Sequence, residues 1–345
     1  MPMVILVAAG TLAVAVITVW LGFVFHQFEE FEDAGSLICT PVVGITGASD
    51  IEGIPGESAA FLSVYDERGR AERGSIVRFD LNNPLDSASW RDRTLGRPGV
   101  FRPGGIDLYQ ERLPSGLLSR RLFVVNKEGP EILLFDVSEN GDLTLMQRIT
   151  NARLLSPNDV VATGPNSFYV TNDTASGRQS LRGKADFLFG FKTGQIFHYS
   201  GSDWSVVAEN LNFPNGIALS PDGSELFLAE MRAEAISRFD RDPATDQLEP
   251  KGRISLGAFP NNLSIDAAGR LLIGSIPQPF AYKAFTEALR ETAPSQVLRV
   301  DDNRASVVFQ DTGRRLSGAT VAASVAGRTL IGTGGHDRFL MCAGS

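Results

Sequence analysis

The sequence predicts an all-β fold, a six-bladed β-propeller preceded by an N-terminal transmembrane or signal-anchor helix. Three observations predict it: six internal repeats of roughly 50 residues, a pair of cysteines that brackets them, and one long uncharged run at the start. The 345 residues include Gly 35, Pro 18 and Phe 22 against Lys+Arg 32 and Asp+Glu 40, a turn-rich and well-cored composition. A formal net charge of -8 excludes the basic surface that a phosphate backbone demands, so no nucleic-acid partner is expected.

In chain order the apolar run comes first. Residues 3–25, MVILVAAGTLAVAVITVWLGFVF, carry no charge over 23 positions, enough for a helix to cross roughly 30 Å of hydrocarbon. They predict a membrane anchor within residues 1–26. A cleaved signal peptide is the rival, disfavoured by the length of the run and by the lack of a small-x-small site before the acidic FEEFED at 28–33. No Lys or Arg precedes Arg68, so the positive-inside rule cannot orient the helix. An acidic linker, 27–38, leads into the domain at 39–345. Cys39 and Cys342 bracket that domain, and a bond between them would close a loop of about 300 residues, worth several kcal/mol in the chain-entropy account. Such a bond needs an oxidising compartment, which places the propeller in the secretory-pathway lumen or outside the cell. Two unpaired small side chains are the other reading.

The repeats follow. SDIEGI (49–54), GGIDLY (104–109), NDVVAT (158–163), NGIALS (215–220), NNLSID (261–266) and ATVAAS (319–324) each leave a turn and begin an alternating apolar run. Their apolar markers Ile51, Ile106, Val160, Ile217, Leu263 and Val321 are 55, 54, 57, 46 and 58 residues apart. Short strands separated by Gly, Pro, Asn and Asp fill each unit, and helical periodicity is confined to the anchor and 281–292. Four-stranded units at this period are propeller blades. A closed ring also lets the two cysteines meet, which an open solenoid would not.

The first residue of each innermost strand should face the central tunnel. That column reads Ser49, Gly104, Asn158, Asn215, Asn261 and Ala319, and the next reads Asp50, Gly105, Asp159, Gly216, Asn262 and Thr320. Amides and carboxylates converging on one axis suggest a small-molecule site. They are also common caps before strands and could serve only that purpose. No GxSxG, HExxH, Walker loop or CxxC occurs. Two N-x-[ST] sequons exist, at Asn172 and Asn262; the second falls in a tunnel column, so only Asn172 is a candidate for glycosylation.

The motifs GASDIE, FRPGGI, SPNDVVATGPNSFYVTND, FPNGIALSPDGSELFLAE, PNNLSID and TLIGTGGHDRFLMC, with both cysteines and the apolar N-terminus, resemble the paraoxonase/arylesterase family over about 39–342. The resemblance implies a tunnel holding two calcium ions. A deeper, structural ion would rest on Asp50, Asp159 and the main chain of Ile106. The upper, catalytic ion of the family is held by a Glu, three Asn and an Asp; here Ser49, Asn158, Asn215, Asn262 and Asn261 stand there, without a carboxylate, so calcium should bind weakly. The two pocket histidines of the family fall at Gly104 and Lys127, and of His26, His198 and His336 only His336 matches a family position near the tunnel.

These departures lead the reading away from hydrolysis. The tunnel is expected to catalyse a metal-independent cyclisation or coupling of small apolar metabolites. It would resemble paraoxonase-like fungal hetero-Diels-Alderases, which join a terpene to a tropolone-derived quinone methide. No cofactor is required for that chemistry, and calcium would be structural only. Asn158, Asn215 and Asn261 would donate hydrogen bonds to the electrophile, and Ser49, Asn262, Lys127, Phe280, Tyr282 and His336 would contact substrate. The segments 187–197 and 276–289 would supply aromatic walls, and a membrane tether suits apolar substrates. The alternatives are a calcium-dependent arylesterase or lactonase, and a non-catalytic binding propeller.

Overall fold

The computed structural model describes residues 2–343, with side chains from Thr11 onward. Six sheets follow one another around a ring; four have the expected four strands, blade one has three, and blade two has five because Thr94–Leu95 adds in parallel to an otherwise antiparallel sheet. Their innermost strands, Ala48–Gly53, Pro103–Arg112, Pro157–Gly164, Pro214–Leu219, Pro260–Ile265 and Ala319–Val325, each contact the next, and the last contacts the first. The period-two alternation of each strand builds the ring. In blade two Leu122 and Val124 pack toward blade one, while Phe123 and Val125 pack toward blade three. Six apolar clusters result, one between each pair of neighbouring blades.

Closure follows from the termini. Ile38–Val43, at the start of the domain, is the outermost strand of blade six beside the C-terminal strand Arg338–Ala343, and the register sets Cys39 opposite Cys342. The two form a disulfide across 303 residues. The linker is tied down as well: Ala34 bridges Gln310, and Gln278 Nε2 donates to the carbonyls of His26 and Glu29.

Every inner strand carries a register shift just after its start, between Ala48 and Asp50, Pro103 and Ile106, Pro157 and Val160, Pro214 and Ile217, Pro260 and Leu263, and Ala319 and Val321. A bulge leaves residues out of the ladder, which suits proline and frees backbone N–H groups to point inward. The repeated Pro-Asn and Pro-Gly pairs are thus bulge chemistry, and the bulge is what aims two successive columns at the tunnel.

Helix α1 spans Pro2–Val24, and α2 (Leu181–Phe189) and α3 (Pro279–Thr286) lie in loops between strands. Among the residues with described side chains, no helix is long and apolar enough to cross a membrane. The first eight positions of the expected anchor, 3–10, lie outside those residues. The α2 helix departs from the strand-and-loop expectation for this region. Its signals are local: Ser180 Oγ accepts from the Gly183 N–H at 2.9 Å, and Gly190 at φ 69 ends it.

Candidate active site in the central tunnel

The lower half of the tunnel is acidic. A cavity of about 380 Å³ is lined by Asp50, Glu52, Asp107 and Asp159 among apolar strand residues. Three of these carboxylates stitch one blade to the next. Asp50 Oδ2 accepts from the Ile106 N–H at 2.8 Å, Asp107 Oδ2 from the Ala162 N–H at 2.8 Å, and Asp159 Oδ2 from the Ile217 N–H at 2.9 Å. A Cβ at Gly105 would lie 1.9 Å from Asp159 Oδ1, so only glycine lets that carboxylate approach. Burial pushes Asp50 up to about 7 and Asp107 up to about 6, with the backbone donors acting against it. Glu52 and Asp159 are raised by burial and then by their acidic neighbours. Glu52 and Asp107 stand outside the two columns expected to line the tunnel. Their signal was the strand alternation, since they lie two residues beyond the Asp50 and Gly105 column and share its face.

Asp50 and Asp159 are the pair that could take part in holding a divalent cation. All four groups are hard oxygen ligands, and the carboxyl groups repel one another when nothing lies between them. Among the described residues no three acidic, His or Cys side chains converge as a ready-made metal centre. An ion at Asp50 and Asp159 would therefore lean on the Ile106 carbonyl and water.

The upper ring is neutral. Asn158 Nδ2 donates to Asp173 Oδ1 at 2.8 Å, Asn262 Nδ2 to the Ser49 carbonyl and to Asp50 Oδ1, each at 3.2 Å, and Asn215 Nδ2 weakly to Met231 Sδ at 3.9 Å. Asn215 Oδ1 and Asn262 Oδ1 are buried with no partner. Asn158 and Asn215 thus each direct one N–H at the protein, and the oxygens of Asn215 and Asn262 are left without a partner. Asn261 makes no side-chain hydrogen bond, and the Ser49 hydroxyl reaches only the Ser63 carbonyl at 3.5 Å. No carboxylate stands in the ring. Lys127, partly buried, lies beside it, its stem over Gly104, where a Cβ would meet Cε at 2.3 Å. With neutral oxygens and no carboxylate, these residues would hold a doubly charged ion only weakly.

The aromatic roof joins Phe187 and Phe280, from the two segments expected to supply it, to Phe25 and Phe259, from outside them. Phe25, at the end of the apolar run, is fully buried against Phe187, Phe259 and Phe280, at ring separations of 5.2, 5.7 and 4.5 Å. The Arg232 guanidinium covers its other side at 4.3 Å. Met231 belongs to the same cluster and touches Asn215, so the roof sits directly over the ring. Phe280 thus joins the site. Tyr282 packs against Gly318 and Gly334, with its hydroxyl 3.5 Å from Glu67. His336 Nδ1 accepts from the Ser317 N–H at 3.1 Å, and burial lowers its pKa, but it bonds to no ring residue. The glycosylation expectation is corrected: Asn172 is fully buried, its oxygen accepting from the Ser156 N–H at 2.7 Å, and the fold leaves no room there for a glycan.

Comparison with known proteins agrees with this architecture. The family model described as Arylesterase matches residues 30–343. Serum paraoxonase/arylesterase 1 of Rattus norvegicus is 31% identical over 332 residues, 92% of each chain, and serum paraoxonase/arylesterase 2 of Bos taurus is 31% identical over 335 residues, 91% of each. Among solved structures, a gluconolactonase from Xanthomonas campestris superposes with a TM-score of 0.56 at 14% identity, covering 89% of both chains. Regucalcin from Agrobacterium tumefaciens, described as calcium-binding, gives 0.54 at 17% identity over 90% of this chain and 94% of its own. At those identities the two structures speak for the fold alone. On the family model and the 31% identity across nearly the whole propeller, the chain belongs to the arylesterase family of paraoxonase-like proteins.

Proposed function

We propose that this protein hydrolyses small apolar esters or lactones at the upper ring of the tunnel. The observation that carries the reading is the pair of buried, unpartnered amide oxygens, Asn215 Oδ1 and Asn262 Oδ1. Two acceptors with nothing to accept are suited to hold a water by its hydrogens and aim its lone pair at a carbonyl carbon beneath the aromatic roof. The relatives named arylesterase and lactonase support the same chemistry. Cyclisation asks Asn158, Asn215 and Asn261 to donate toward an electrophile; Asn158 already donates to Asp173 and Asn215 weakly to Met231 Sδ, while the Asn261 amide is uncommitted. The matching family and the relatives are described as arylesterases and lactonases, and that favours hydrolysis over cyclisation.

A divalent cation in the lower cavity would neutralise its carboxylates and brace the blades they stitch together; its place in the proposal is structural. The disulfide supports a lumenal or extracellular propeller. The outward apolar face of α1, with Leu12, Val14, Val16, Val19 and Phe23 exposed, supports membrane attachment beside the tunnel mouth.

The test uses the solubilised full-length chain, below its melting temperature, against phenyl acetate and a panel of aliphatic lactones. Turnover that falls at least tenfold in the Asn215→Leu, Asn262→Leu double variant is expected. No turnover of any ester or lactone, by a protein that melts cooperatively, would overturn the proposal.

A further inference from the structure

The tunnel holds one cation that the ring chemistry does not use. Three basic residues gather on the side formed by blades two and three. Arg102 is paired with Glu67 at 3.3 Å, and Arg178 with the buried Asp173. The Lys127 side chain has neither a hydrogen bond nor an ion pair. Its position is built rather than incidental. The backbone N–H of Lys127 donates to the Arg102 carbonyl at 2.9 Å, just past the strand Leu118–Asn126. Its stem fills the notch above Gly104, since a Cβ at 104 would lie 2.3 Å from Cε and 3.2 Å from Cδ. The same point is 3.1 Å from the Asn158 carbonyl oxygen, which sets the amine end of the side chain at the ring. Glycine at 104 and lysine at 127 therefore act as one arrangement: the first makes room for the second.

We propose that Lys127 is the tunnel's electrophile, its ammonium holding the substrate oxygen on which negative charge develops. This rests on the hydrolase reading and names its substrate class more closely: an aromatic or otherwise apolar body bearing a carbonyl that becomes an oxyanion. Water adds to the carbonyl carbon, and the C=O electron pair moves onto the oxygen that faces Nζ. When that pair returns, the bond to the alcohol oxygen breaks and the alcohol leaves with a proton drawn from the attacking water. A point charge fixed in a site closed by aromatic rings stabilises that oxygen far more than it would in water. In a neutral ring it supplies the positive charge that a metal ion would otherwise bring. The groups facing the amine are Arg102 and Arg178, of like charge, and Glu67, Asp173 and, more distantly, Asp50, of opposite charge. Burial, then Arg178, holds its pKa below the ordinary lysine value.

The experiment compares wild type, K127M and K127R as full-length solubilised protein in excess EDTA, with thermal melts to confirm folding. One arm measures kcat/KM on phenyl acetate; the other measures calorimetric binding of phenylphosphonate, a stable oxyanion on an aromatic body. Expected are chelator-resistant binding by wild type, a loss of at least tenfold in both arms for K127M, and recovery of most binding in K127R. A lysine kept only to fill the notch predicts no difference between K127M and wild type, and that result, or no phenylphosphonate binding by wild type, overturns the assignment. Lys127-dependent binding without any ester turnover overturns the hydrolase reading and leaves the assignment standing. Should K127M fail to fold, K127Q replaces it in both arms.

Discussion

The upper and lower halves of the tunnel are built from the same six strands, yet they are electrostatic opposites. Below, Asp50, Glu52, Asp107 and Asp159 crowd one cavity and three of them bind backbone N–H groups of the neighbouring blade. Above, the ring is amide and hydroxyl, with two orphaned oxygens and one unpaired amine. The difference separates two jobs that a propeller tunnel performs at once. The lower half holds blades together, so its carboxylates are tied to the backbone and resist replacement. The upper half carries fewer such ties, the cross-blade bonds of Asn262 to Ser49 and Asp50 among them, and on the proposed function it is the half that meets substrate.

The largest expected effect comes from breaking the lower half. Asp159→Ala removes two backbone hydrogen bonds, to Ile217 and Val160, and should cost about 3–5 kcal/mol, read as a fall in Tm or loss of soluble protein. A smaller fall than an ordinary surface substitution gives would break the division of labour.

Next comes pH. A carboxyl whose folded pKa is raised binds its proton more tightly folded than unfolded, so it adds stability at low pH and loses it as pH rises from about 4 to about 7, the range for Asp50. Chelated protein should therefore melt several degrees lower at pH 8 than at pH 5. Added calcium should raise Tm more at pH 8, where the carboxylates are ionised and in need of a counter-charge. A Tm that rises with pH in chelator would refute the cation-stabilised cavity.

Restoring acids above should erase the contrast. The double variant Ser49→Glu, Asn261→Asp places two carboxylates in the neutral ring, and calorimetry should detect one more bound calcium than in wild type. An unchanged stoichiometry would mean that ring shape, not ring charge, excludes the ion. The smallest effect belongs to Asn215→Leu, which deletes a buried acceptor without a partner and a weak bond to sulfur. Stability should stay within about 1 kcal/mol of wild type, or rise, because no good hydrogen bond is lost.

Much of this was legible in the residues. The period of 46–58 residues, the Pro-Asn and Pro-Gly starts and the bracketing cysteines encode blades, bulges and closure, because each is a local or repeating signal. Columns one and two were legible for the same reason. Glu52 and Asp107 share the alternation but sit two residues past the strand starts, and α2 is signalled by Ser180 and Gly190 inside a stretch rich in aromatic residues.

Other features exist only in three dimensions. Which end of an Asn amide faces the tunnel depends on whether a neighbour such as Asp173 or the Ser49 carbonyl claims its N–H, and those neighbours are 15 and 213 residues away. Phe25 reads as one more apolar residue of a run until the ring brings Phe187, Phe259 and Phe280 around it. Composition, period and spacing therefore specify the propeller, its closure and the residue types at its axis. Donor or acceptor, buried or open, paired or free is settled by long-range packing, because hydrogen bonding and burial depend on what the whole chain places within about 3–4 Å.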